Sequence, residues 1–243
     1  MTKEWFADWF DSPYYHLLYK NRDENEAKTF ITKLVKNITL PANSRILDLA
    51  CGKGRHAKML HEEGFNVLGV DLSPNSISAA NQEKTTGIAF QVHDMRNVIA
   101  GEKFDAIFNL FTSFGYFDET KDNEKMVSSI HQMLNKKGML IIDFMNATKV
   151  INNLVTAEVK NVDGVEFSIQ RRYDGQHIFK EIEFYDNGTP MHYTERVQAV
   201  KKSDFVSLLS QANFEILRTF GDFDLNEFNE VSSDRLIIIA QKK

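Results

Sequence analysis

Apolar and polar positions alternate along this chain with two different periods. Residues 24–37 place Ala27, Phe30, Ile31, Leu34 and Val35 on one helical face, with acids early and lysines late, as the helix macrodipole favours. Beyond them, apolar runs of strand length predict strands over 45–50, 66–71, 88–93, 104–110 and 138–145. Helical spacing predicts helices between them over 54–63, 74–84 and 121–135. Regular alternation of strand and helix implies a parallel sheet with helices on both faces, an α/β fold. A last helix over 203–212 precedes two apolar runs, 214–220 and 236–240, which read as a closing antiparallel pair.

Between residues 155 and 200 the pattern shortens to alternating runs broken by Asp163-Gly164, Asp174-Gly175 and Asp186-Asn187-Gly188. These are hairpin-turn residues at nearly regular spacing, so the segment reads as an inserted antiparallel β meander after the fifth core strand. The expected division is therefore a core made of 1–154 and 201–243, with an N-terminal helical lid, and a subdomain over 155–200. The meander supplies substrate walls or a homodimer surface, and the pattern does not separate these roles.

The chain has 243 residues and a formal net charge of −5, which argues against a surface that tracks phosphates, so no nucleic-acid partner is expected. Its single cysteine, Cys51, excludes an internal disulfide and any multi-cysteine metal site, and the seven histidines are scattered, so no metal is expected. No apolar run approaches the roughly 18 residues of a membrane span. With no signal-peptide pattern at Met1-Thr2-Lys3-Glu4-Trp5 either, a cytoplasmic protein is expected.

The candidate chemistry begins at Ile46-Leu47-Asp48-Leu49-Ala50-Cys51-Gly52-Lys53-Gly54-Arg55-His56-Ala57, an apolar strand ending in a carboxylate and breaking into a glycine loop. Glycines there let backbone N–H groups approach a nucleotide-like ligand. Gly52-x-Gly54-x-x-Ala57 with Asp71 about twenty residues on satisfies a loose NAD fingerprint. Asp48 argues against it, because a pyrophosphate docked on the following helix would face a like charge. S-adenosylmethionine carries an ammonium and no phosphate. Asp71, in Val70-Asp71-Leu72-Ser73, suits its ribose hydroxyls, and Asp94 with Met95, in Val92-His93-Asp94-Met95, suits its adenine. Three successive strands thus deliver acids at the edge where open α/β sheets bind ligands.

On these residues the chain resembles the class I S-adenosylmethionine-dependent methyltransferases over about residues 30–150 and 203–243. Leu47-Asp48-Leu49-Ala50-Cys51-Gly52-Lys53-Gly54 matches the first-strand motif of that family. The resemblance implies a Rossmann-like seven-stranded sheet, mostly parallel with its last strand antiparallel, and a methyltransferase using S-adenosyl-L-methionine. It maps the ribose acid to Asp71, the adenine-side acid to Asp94, and a further cofactor-side segment to Asn109-Leu110-Phe111-Thr112-Ser113. Upstream, aromatics crowd residues 5–19. They either pack a helix on the sheet edge or form a lid, in which a tyrosine among Tyr14, Tyr15 and Tyr19 would cover the sulfonium and Arg22 would hold the cofactor carboxylate.

After the fourth strand, Phe111, Phe114, Tyr116 and Phe117 suggest an aromatic pocket for a small-molecule acceptor methylated on nitrogen or oxygen. The Asn/Asp-Pro-Pro-Tyr/Phe motif of nucleic-acid amino methylases is lacking. His93, His177, His192, Tyr185 and Tyr193 are candidate bases without geometry. Two other functions remain open on sequence: an NAD-dependent oxidoreductase and a non-catalytic S-adenosylmethionine-binding protein.

Overall fold

The computed structural model describes residues 9–20, 24–83, 85–117 and 119–243. Seven helices and eleven strands follow in the order α1 (Pro13–Leu18), α2 (Glu24–Lys36), β1 (Arg45–Leu49), α3 (Arg55–Glu62), β2 (Asn66–Asp71), α4 (Pro74–Gln82), β3 (Ile88–Val92), β4 (Phe104–Asn109), α5 (Thr120–Met133), β5 (Leu134–Met145), α6 (Ala147–Asn152), β6 (Ala157–Val162), β7 (Val165–Tyr173), β8 (His177–Asp186), β9 (Thr189–Gln198), α7 (Lys202–Gln211), β10 (Phe214–Phe220) and β11 (Arg235–Lys242) among the described residues. The short helix α6 was not predicted; it starts at the Asn146 cap, whose side chain accepts the Lys149 N–H.

Seven strands form one sheet in the order β10-β11-β5-β4-β1-β2-β3. All neighbours pair parallel except β11, which runs antiparallel to both β5 and β10. The chain therefore leaves β1 on one side to reach β2 and returns on the other to reach β4. That switch opens a crevice at the C-terminal ends of β1 and β4.

Period-two alternation sends the two faces of β1 into different cores. Leu47 and Leu49 join one cluster with Ile107, Met126, Ile130 and Phe144, and Ile46 joins another with Phe30, Leu34, Leu60 and Phe108. Phe90 on β3 packs so closely on Gly69 that an added Cβ there would meet its ring at 2.6 Å.

Strands β6 to β9 form a separate antiparallel sheet. Asp163 and Gly164, Gly175, and Asn187 and Gly188 all take positive φ at its turns, as hairpin geometry requires. One face of this sheet, with Phe167, Ile169, Ile182 and Phe184, makes a third core with Trp9 and Leu18 of the N-terminal segment. Trp9, Tyr14 and Tyr15 thus pack on the inserted sheet, while Phe10 bridges it to the first core cluster of the large sheet. Among the described residues, no helix is long and apolar enough to cross a membrane.

Overpacking at the β2–β3 contact gives a direct check. Gly69→Ala is expected to cost about 1–3 kcal/mol in chemical denaturation, and Phe90→Ala in the same chain is expected to remove most of that increment. Additive losses would contradict the contact.

Candidate functional site

The glycine loop is held by hydrogen bonds to the end of β2. Cys51 N–H donates to Val70 O at 2.9 Å, and Gly52 N–H donates to Asp71 Oδ2 at 2.8 Å. Ala50, Gly52 and Gly54 have φ of 63°, 54° and 80°. A Cβ on Gly54 would lie 2.5 Å from the Phe90 ring, whereas one on Gly52 would meet nothing within 4 Å and would project into the crevice. The first glycine leaves room for a ligand, and the second lets α3 pack on the sheet.

Asp71 is the pivot of this loop. Its other oxygen, Oδ1, accepts Ser73 N–H at 2.8 Å. Burial pushes its carboxyl up from the usual range, opposed by the N–H groups of Ser73, Gly52 and Leu72. Asp94 differs: burial works against its ionisation, but the Arg96 guanidinium and backbone N–H outweigh it and hold the carboxyl low. Arg96 grips both Asp94 oxygens, with Nη2 2.7 Å from Oδ2.

A cleft of about 150 Å³ brings these residues together. Ala50, Gly52, Asp71, Leu72, Ser76, His93, Asp94 and Met95 line one half. Phe10, Tyr15, His16, Phe111, Thr112, Ser113, Tyr116 and Phe117 line the other. A second cleft opens from it beside the loop, where Tyr19, Lys53, Arg55, His56 and Leu110 join Tyr15, His16, Ala50, Gly52, Phe111 and Ser113. Cys51 borders this second cleft, and burial, then the neighbouring Asp48 and Asp71 carboxyls, push its thiol up, so it is a poor nucleophile.

Several expected positions differ. Asp48 lines neither cleft: it shares the Ile46 face of β1, is 1% exposed, and accepts the Ala57 N–H in the first turn of α3. Burial, then the Asp71 carboxyl, raises its pKa to about 7, and its Oδ2 has no partner. Tyr14 turns away from the cleft, with its ring 4.6 Å from that of Phe184 on the inserted sheet. Tyr19 reaches the second cleft, but its hydroxyl donates to Glu195 at 2.8 Å and accepts from Lys180, so it is tied to β8 and β9. Arg22 lies outside the described residues. Asn109 is fully buried and donates through Nδ2 to Leu49 O at 3.0 Å, bracing β4 against β1. Phe114 does not rim the pocket; it is buried against Phe144 and Phe205.

Of the candidate bases, only His93 lines the first cleft. His192 pairs with Glu181 at 3.0 Å on the inserted sheet, Tyr193 packs on Trp9, Tyr185 is exposed, and His177 borders a separate groove beside α7. Phe10 and His16 were missed. Both belong to the aromatic N-terminal run, and only the docking of that run on the inserted sheet brings them over the crevice.

The residues fit S-adenosylmethionine. The α3 N-terminus, where a pyrophosphate would bind, already holds the Asp48 carboxyl, and the Gly52 side of the loop is open to a ligand. Comparison with known proteins agrees. Residues 46–138 match a methyltransferase domain model. The chain is 26% identical to a Geobacillus sp. (strain WCH70) protein described as a methyltransferase, over 100% of both chains. It is 29% identical to the glycine/sarcosine N-methyltransferase of Halorhodospira halochloris, over 93% of this chain and 84% of that one. Its fold matches an S-adenosylmethionine-dependent methyltransferase structure from Clostridium acetobutylicum with a TM-score of 0.79, 22% identity and coverage of 98% and 97%. Residues 46–138 thus carry a methyltransferase domain, and with the glycine loop and these likenesses in agreement the chain is an S-adenosylmethionine-dependent methyltransferase, an enzyme with S-adenosylmethionine as its cofactor.

Proposed function

We propose that this enzyme methylates a nitrogen of a small molecule bound in the aromatic half of the cleft. The observation that carries this reading is the enclosure of that half. Phe10 and Tyr15 from the N-terminal segment line it together with Phe111, Tyr116 and Phe117, and Phe10 stands edge-on to Tyr116 at 5.1 Å. Such a site admits a small acceptor and excludes a nucleic-acid strand. The glycine/sarcosine N-methyltransferase among the relatives favours nitrogen over oxygen.

In this reading Gly52, Ala50, Asp71, Leu72, Asp94 and Met95 hold the cofactor in the first half of the cleft. Cys51, Gly54 and Asn109 shape the loop from behind, Leu110, Phe111 and Tyr19 border the methionine end, and Asp48 acts through the α3 amide. Bound S-adenosylmethionine supplies an electrophilic methyl group on a sulfonium. The protein's task is to orient the acceptor, exclude water and take up a proton. His93 and His16 are the imidazoles on the cleft wall suited to the last step. Residues 1–154 and 201–243 act as the cofactor-binding unit. Residues 155–200 act as a subdomain that carries the N-terminal lid, in a protein working in the cytoplasm.

Two measurements test this reading. Isothermal titration with S-adenosylhomocysteine is expected to show binding that Asp71→Ala weakens at least ~10-fold, since hydrogen bonds to a charged group contribute about 1.5–3 kcal/mol. Labelled S-adenosylmethionine is expected to transfer methyl to a member of a panel of small primary and secondary amines and not to RNA or DNA. Labelling of nucleic acid alone would overturn the small-molecule reading.

Asp48 gives a pH signature. Its folded pKa is raised, so the stability contributed by its neutral form is complete below about pH 4 and is lost as pH rises to about 7. In thermal melts of the cofactor-free protein, Asp48→Asn is expected to gain on wild type across that window by up to about 4 kcal/mol. Parallel pH profiles would contradict the assignment.

A further inference from the structure

Just past β4 the backbone takes a course that L-residues resist. Phe111 and Thr112 have φ of 60° and 59°, so a bulky and a β-branched residue sit in succession in the left-handed region. Such a conformation persists only where its surroundings over-determine it, and such places cluster at functional sites.

The surroundings here are Asp143 on β5 and Arg235 at the start of β11. Asp143 is fully buried, and its two ends grip the loop: Oδ2 accepts Phe111 N–H at 2.9 Å, and its backbone oxygen accepts Thr112 N–H at 2.9 Å. Arg235 bridges carboxylate and loop, donating from Nε to Asp143 Oδ1 at 2.8 Å and from Nη2 to Thr112 Oγ1 at 3.1 Å. Its guanidinium also lies 5.9 Å from the Phe111 ring and 5.4 Å from the Phe223 ring, and those rings stack on each other. Ser113 completes the turn by donating to Leu110 O at 2.8 Å.

What the clamp holds is the meeting point of the two clefts. Phe111 and Ser113 line both, and Thr112 lines the first together with Asp71 and Asp94. Neither Asp143 nor Arg235 lines either cleft. Their influence on a ligand passes through the backbone they fix, at a point where displacement of about 1 Å costs on the order of 100-fold in rate.

We propose that Asp143 and Arg235 are positioning residues of the methyl-transfer site, which hold residues 111–113 in a strained left-handed turn and so fix the wall shared by cofactor and acceptor. The inference rests on the clefts being the methyl-transfer site. It treats the Asp143–Arg235 pair as a device of the site and not as a general prop of the sheet. The two roles make different demands. A sheet prop would loosen β5 and β11 when removed, whereas the clamp would loosen only the turn. A glycine in place of Thr112 would then supply the conformation that the clamp enforces.

The test combines hydrogen–deuterium exchange with S-adenosylhomocysteine titration on the full chain. In Arg235→Ala, exchange at Phe111 and Thr112 is expected to rise at least ~10-fold while the amides of β1 and β5 keep their protection, and affinity is expected to fall ~10-fold. Adding Thr112→Gly to Arg235→Ala is expected to recover most of the affinity. Arg235→Lys, which keeps the charge but not the two-armed bridge, is expected to fall between wild type and Arg235→Ala, and it carries the same glycine rescue should the alanine variant not fold. Unchanged exchange and affinity, loosening spread evenly through the sheet, or no rescue by glycine would each overturn the proposal. Wild-type protein that fails to bind S-adenosylhomocysteine would overturn the reading of the cleft instead, and the exchange data would still decide the clamp.

Discussion

Strand β1 is flanked by β2 on one side and β4 on the other, and the site depends on that reversal. Loops leaving the C-terminal ends of β1 and β4 diverge, one toward α3 and the other toward α5, and the crevice lies between them. The groups on the glycine-loop side of the crevice are then fixed from the strands beneath. The Gly52 amide is held by Asp71 of the next strand, the Cys51 amide by Val70, and the end of β4 by Asn109 bonded back to Leu49. The glycine loop is thus pinned by neighbours already locked in parallel register.

The other wall is made by pieces distant in sequence. Trp9 donates to Glu195 at 2.7 Å, and Glu195 also accepts from Tyr19 and pairs with Lys180, so the N-terminal segment and the inserted sheet close as one body. Burial, then Glu195, raises the Tyr19 hydroxyl pKa well above its ordinary value, which keeps it a donor. The end of β9 reaches the segment after β4 through Gln198, whose backbone N–H donates to Gly115 O at 2.7 Å and whose side chain donates to Phe117 O at 2.8 Å. Hydrogen bonds thus join Trp9 and Tyr19, the inserted sheet and the segment after β4.

Most of the core was legible because its period and its turn residues agree. The alternation of strand and helix, the hairpin turns of the insertion and the closing antiparallel strand all follow from local pattern. The glycine loop with Asp71 and Asp94 was legible because strand-end acids must fall at one sheet edge. Side-chain direction was not. Asp48 seemed to face the ligand because it precedes the loop, but alternation along β1 sends it beneath α3. Tyr14 and Phe114 sit in aromatic runs where neighbouring residues serve core and cleft in turn, and no spacing rule separates them. Asp143 and Arg235 are 92 residues apart, and nothing local announces their meeting.

In the proposed reading, cofactor and acceptor meet where the two clefts join, beside Tyr15, Phe111 and Ser113. A crystal structure with S-adenosylhomocysteine tests it most directly. Ribose hydroxyls are expected on Asp71, adenine beside Met95, and the sulfur facing that junction. Density for the ligand outside the crevice, or a sulfur turned away from Phe111 and Tyr15, would contradict it.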